Sequence, residues 1–85
     1  MLIHSPEELA MFVREQRKRA KLTQATASHT VGLKQSTVSA FETNPDGTKV
    51  ETLFRILSAI GIELHLVVRG DKTIPSATST WDEEW

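Results

Sequence analysis

The sequence predicts a mainly α-helical domain of four helices, with a helix-turn-helix and one C-terminal strand that pairs across a dimer. Three observations predict it. Apolar residues recur at helical spacing from Leu9 to Ile60. Between Thr23 and Glu42, Gln24 and Gln35 flank a single glycine, Gly32, with apolar residues at Val31, Leu33, Val38 and Phe41. After Gly61 the period changes to two: Ile62, Leu64, Leu66 and Val68 alternate with Glu63, His65, Val67 and Arg69.

The first helix opens at Ser5-Pro6-Glu7-Glu8. Ser5 is the N-cap, Pro6 takes the first helical position, and Glu8 closes a capping box. Leu9, Phe12, Val13, Gln16 and Ala20 fall on one face, and Arg14, Arg17, Lys18 and Lys21 on the opposite one. That basic face is either a solvated stripe suited to the helix dipole or a phosphate-contacting surface. Thr23 caps a second helix running from Gln24 to about Val31 and ended by Gly32. Its Thr26, Ser28, His29 and Thr30 are mediocre helix formers, so packing must hold it. A third helix runs from about Gln35 to Thr43 and buries Val38 and Phe41. Asn44-Pro45-Asp46-Gly47 has the residue order of a type I turn. Thr48 with Glu51 forms a second capping box, opening a helix that buries Val50, Leu53, Phe54, Leu57 and Ile60 and ends at Gly61.

The strand over residues 62–69 stands alone except for the short extended piece Met1-Leu2-Ile3-His4. A lone strand leaves backbone groups unpaired. Pairing with the same strand of a second copy solves this, and pairing with residues 1–4 is the alternative. Residues 1–70 therefore form one domain. Residues 71–85, polar and acidic, are expected to be a disordered tail.

At 85 residues without cysteine, the chain has no disulfides or Cys-based zinc sites to supplement its small core, which favours oligomerisation. Neither a signal-peptide pattern nor a membrane-spanning run is present, and a cytoplasmic location is expected. The net charge of −1 conceals an asymmetry. Residues 1–70 hold nine Lys/Arg against seven Asp/Glu, a balance of +2, and residues 71–85 hold one against four, a balance of −3.

The third helix makes duplex DNA the expected ligand. Lys34, Gln35, Ser36, Thr37 and Ser39 lie at or near its start, where side chains reach base edges in the major groove. Lys34 is the telling member, because a cation opposes the helix dipole there and Ser, Thr or Asp would cap better. A polyanion facing that end would offset the conflict; a solvated loop lysine is the alternative. Thr23 and Gln24 start the preceding helix and are placed for phosphate, with Gln24 also within reach of orienting Gln35. His4, His29 and His65 lack metal-ligand spacing, and no nucleophile–base arrangement or phosphate loop stands out. Neither enzyme activity nor a cofactor is expected. Trp81 and Trp85 both fall in the acidic tail, where an aromatic is better explained as an anchor for a partner's pocket than as an inert residue.

The pattern from Gln24 to Glu42 resembles the Cro/C1-type (lambda-repressor-like) helix-turn-helix family. Ala27 stands where that family usually has a larger aliphatic, and Ser28 where it usually has Ala. Within it, GLKQSTVSAFETNPDGT (residues 32–48), the capped helix and strand that follow, and the terminal Trp85 are similar to HipB-type antitoxins. The resemblance implies a homodimer joined by an intermolecular β-lid and bound to a palindromic operator as an autorepressor. It also implies neutralisation of a HipA-type serine/threonine kinase toxin. By position, Lys34 and Ser36 would contact bases, with Gln35, Thr37, Ser39, Thr23 and Gln24 nearby on bases or phosphates. Trp85, or the additional Trp81, would enter the toxin. A free-standing Cro/C1-type regulator without a toxin partner is the runner-up, and a protein-interaction module that binds no DNA is the third reading.

Overall fold

A computed structural model describes residues 2–69. The expected tail, with Trp81 and Trp85, lies outside the described residues. Four helices run in order: α1 Pro6–Arg19, α2 Gln24–Thr30, α3 Gln35–Thr43 and α4 Val50–Ile60, with a 3-10 turn, Pro45–Gly47, between the last two. The α2 and α3 helices pack on each other, α1 packs on α3, and α4 closes against α1 and α2.

The core is made where these faces meet. Val13 of α1, Val38 and Phe41 of α3, and Ile56 of α4 are its largest buried side chains, joined by Ala10 and Leu57. Leu9, Leu33, Leu53, Ile60 and Ile62 pack around them. Ala27 and Ser28, the two departures from the family pattern, are both buried. The Ser28 hydroxyl donates to the Ala25 carbonyl at 2.9 Å, so it carries no unsatisfied polar group into the interior.

Local chemistry sets the helix boundaries. Ser5 accepts the Glu8 N–H at 3.1 Å, as expected of an N-cap. The returning Glu8 carboxylate takes the His4 N–H at 2.6 Å, one residue before the donor that a capping box uses. Thr23 caps α2 by accepting the Thr26 N–H at 3.0 Å. Gly32 and Gly61 adopt φ of +71° and +83°, and Gly61 ends α4 as expected.

Several expectations are corrected. The buried stripe of α1 is Ala10, Val13 and Arg17, with Ala20 exposed, so Arg17 belongs to the interior and not to the solvated basic face. The turn after α3 closes one residue later than the type I pattern, through Thr48 N–H to the Pro45 carbonyl at 2.9 Å. The N-cap of α4 is Lys49, one residue later than the expected Thr48, and it makes no side-chain capping bond. Ile56 replaces Val50 and Phe54 in the core, those two being 66% and 53% exposed in the single chain.

Residues 62–68 form no ladder with residues 2–4 or with any other described segment. A polar side-chain contact between the two ends of the described chain runs from Arg69 Nη2 to His4 Nδ1 at 3.5 Å. Leu64, Leu66, Val67 and Val68 stand exposed. A strand exists only by pairing, and the described residues of one copy supply no second edge.

Candidate nucleic-acid interface

The α2–turn–α3 unit is held from beneath by one buried polar cluster. Arg17 Nε donates to Glu42 Oε2 at 2.6 Å, and Nη2 to Glu42 Oε1 at 3.1 Å. The third arm of the guanidinium, Nη1, donates to the Leu22 carbonyl at 2.8 Å. Gln24 Nε2 donates to Glu42 Oε1 at 3.0 Å. Two side chains thus tie α1 to α3, to the α1–α2 turn and to the first residue of α2. The ion-paired side chains are 11% and 3% exposed, so breaking the pair strands a buried charge.

Burial pushes the Glu42 carboxyl upward in pKa. Hydrogen bonds from Arg17 and Gln24 and the charges of Arg17 and Arg14 outweigh that and hold it below its ordinary value. It is ionised at neutral pH and remains a permanent acceptor for Gln24.

Above this frame lies the N-terminal end of α3. Its N-cap is Lys34, with extended backbone (φ −79°, ψ 148°) and no side-chain capping bond. Lys34, Gln35 and Ser36 are exposed, while Thr37 and Ser39 are half-buried. The first turn contains no acidic residue. A cation at an uncapped helix start is locally unfavourable, and an anion outside would reverse the sign.

Of the remaining expected site residues, Thr23 is exposed and Gln24 half-buried. Gln24 gives its amide hydrogen to Glu42 and not to Gln35, a correction whose cause is the full negative charge on the carboxylate. Arg14, Lys18, Arg19 and Lys21 line the exposed side of α1 and its end. Sequence reasoning missed Arg17 and Glu42. Arg17 lies seven residues after Ala10 and four after Val13, a helical spacing that would have put it on the buried stripe.

Two helices joined by a glycine turn, with the second presenting an exposed polar start, define a helix-turn-helix protein. The Helix-turn-helix family model matches residues 13–67. Antitoxin HipB of Escherichia coli O6:H1 is 35% identical over 83 residues, covering 98% of this chain and 87% of that protein. Antitoxin HipB of Escherichia coli strain K12 is 34% identical, covering 98% and 93%. The fold agrees with a solved HipA–HipB–O2–O3 complex at a TM-score of 0.79 and 35% identity, covering 81% of this chain and 97% of that one. A HipB–O4 20mer complex matches with the same TM-score, identity and coverage. The chain belongs to the HipB antitoxin family of helix-turn-helix proteins.

Proposed function

We propose that this chain is a dimeric, sequence-specific DNA-binding repressor that also serves as the antitoxin to a HipA-type serine/threonine kinase. The observation that carries the DNA-binding half is the α3 N-terminus. Lys34 stands at an uncapped helix start, exposed beside Gln35 and Ser36, on a frame fixed by the Arg17–Glu42 pair. Lys34 and Ser36 read bases in the major groove, Gln35, Thr37 and Ser39 supply neighbouring contacts, and Thr23 and Gln24 hold a phosphate.

Dimerisation follows from the apolar surface that one copy leaves open. Leu66 is 83% exposed and is accompanied by Leu64, Val67 and Val68. An open groove beside them is lined by Phe54, Leu57, Ser58 and residues 61–64. Antiparallel pairing of two 62–69 segments covers this surface and satisfies the strand edges. Trp85, with Trp81, anchors the chain to the toxin.

The antitoxin half rests on the near full-length relation to antitoxin HipB and on the HipA–HipB complex among the structural relatives. That relation favours this reading over a free-standing regulator. The protein acts by binding rather than catalysis and works in the cytoplasm; no helix among the described residues is long and apolar enough to cross a membrane.

The test is duplex binding as a function of salt, with co-purification of the kinase-like product of the adjoining reading frame. The log affinity should fall linearly with log salt, and the kinase should co-purify stoichiometrically. A slope near zero on every duplex would exclude the repressor. A kinase left behind would exclude the antitoxin and leave the free-standing regulator.

A further inference from the structure

We infer that Lys21 is a DNA-phosphate contact, held in an unfavourable backbone conformation for the sake of its charge. The inference rests on the DNA-binding reading above and adds a residue to that surface.

The α1 helix ends in a double hydrogen bond. The Lys21 N–H meets the Lys18 carbonyl at 2.9 Å, and the Leu22 N–H meets the Arg17 carbonyl at 3.1 Å. This is the Schellman arrangement, in which the residue after the C-cap must be left-handed and is usually Gly, sometimes Asn. Lys21 occupies that position with φ +61°. The other left-handed residues among those described, Gly32 and Gly61, are glycines. The chain thus places glycine where a turn needs positive φ, except at the one turn that leads into α2.

The fold does not call for a lysine there. The side chain is exposed and forms no described hydrogen bond or ion pair. A cation suits the end of α1, but Arg17, Lys18 and Arg19 already occupy its last turn. A residue held in a rarely populated conformation points to function when the surroundings fix it, and here they do. Arg17 Nη1 grips the Leu22 carbonyl at 2.8 Å, so the backbone next to Lys21 is tied to the same buried cluster that positions Gln24. Two residues further on is Thr23, the exposed cap of α2. Lys21 therefore carries a positive charge, on a rigid turn, to the edge of the helix-turn-helix where Thr23 and Gln24 are proposed to meet a phosphate.

The test compares wild type with Lys21→Asn, Lys21→Gly and Lys21→Arg. Fluorescence anisotropy would follow binding to a labelled random-sequence duplex of about 30 base pairs at several salt concentrations, since phosphate contacts need no operator. Asn and Gly tolerate positive φ, so both variants should melt no lower than wild type. Each should lower the salt slope by about 0.9 per protomer, or about 1.8 for a dimer. Between 50 and 200 mM salt their affinity would then fall roughly 12-fold less than that of wild type. Lys21→Arg should keep the wild-type slope. A steep wild-type slope that Lys21→Asn and Lys21→Gly leave unchanged would overturn the assignment while sparing the DNA-binding reading. A flat wild-type slope would overturn both.

Discussion

Replacing Glu42 by glutamine tests the frame on which the interface stands. The Glu42 carboxylate accepts from Arg17 Nε at 2.6 Å, Arg17 Nη2 at 3.1 Å and Gln24 Nε2 at 3.0 Å, and its side chain is 3% exposed. Glutamine preserves the shape but removes the charge, and its own N–H2 group must face a donor of Arg17 or Gln24. Losing one partner of a buried ion pair costs about 3–5 kcal/mol, because the other charge remains buried and unpaired. A chain of 85 residues has roughly 4–13 kcal/mol of stability in total, so the cost is a large fraction of it. At about 4–8 °C per kcal/mol for a domain of this size, Glu42→Gln should lower Tm by at least roughly 12 °C. Thermal and urea denaturation at neutral pH would measure it. The double variant Arg17→Met with Glu42→Leu should lose less than Glu42→Gln alone, because it strands no charge. A single-variant loss below about 1 kcal/mol would refute the reasoning, since that is the worth of an exposed pair.

Further outcomes follow from the same geometry. Lys34→Ala should cost about 1–3 kcal/mol on the preferred DNA site and relax the base preference there; equal losses on all sequences would reassign Lys34 to phosphate. Because the Glu42 pKa is lowered in the folded state, its stabilisation is full above the ordinary carboxylate value of the unfolded chain and is lost as pH falls through the lower folded value. In a circular dichroism acid titration, the gap between wild type and Glu42→Gln should close below that range; a constant gap would contradict the linkage. Leu66→Lys should shift sedimentation from dimer towards monomer, and an unshifted dimer would displace the paired-strand account. Deleting residues 81–85 should leave duplex binding intact and weaken kinase binding; unchanged kinase affinity would remove the tryptophans as anchors.

The parts of this fold that local chemistry controls were legible in the sequence. Ser5, Thr23 and Gly61 terminate helices where their residue types prescribe, and Gly32 takes positive φ in the turn between α2 and α3. The uncapped, exposed start of α3 was legible because Lys34 is a poor cap for the helix it precedes. What stayed hidden depended on tertiary partners. Arg17 shares the helical spacing of Ala10 and Val13, but what its buried charge pairs with shows only when Glu42, 25 residues away in the chain, is seen beside it. Gln24 had two candidate partners, and the charge of Glu42 decides between them. The start of α4 slipped by one residue, Thr48 ending the preceding 3-10 turn and Lys49 standing at the N-cap, a boundary that a capping-box pattern does not register. Lys21 gave no local sign of its left-handed backbone, since neither glycine nor asparagine marks it. The apolar alternation after Gly61 is legible as pattern, yet the described residues of one chain offer it no partner edge.

The central claim is that two copies present their α3 helices to duplex DNA as a symmetric reader. Selection of bound duplexes from a random-sequence pool, followed by sequencing, tests it most directly. The account predicts enrichment of a palindrome whose half-site centres lie about 10–10.5 base pairs apart, or a multiple of that spacing. Enrichment of a single unpaired half-site, or of no sequence at all, would contradict it.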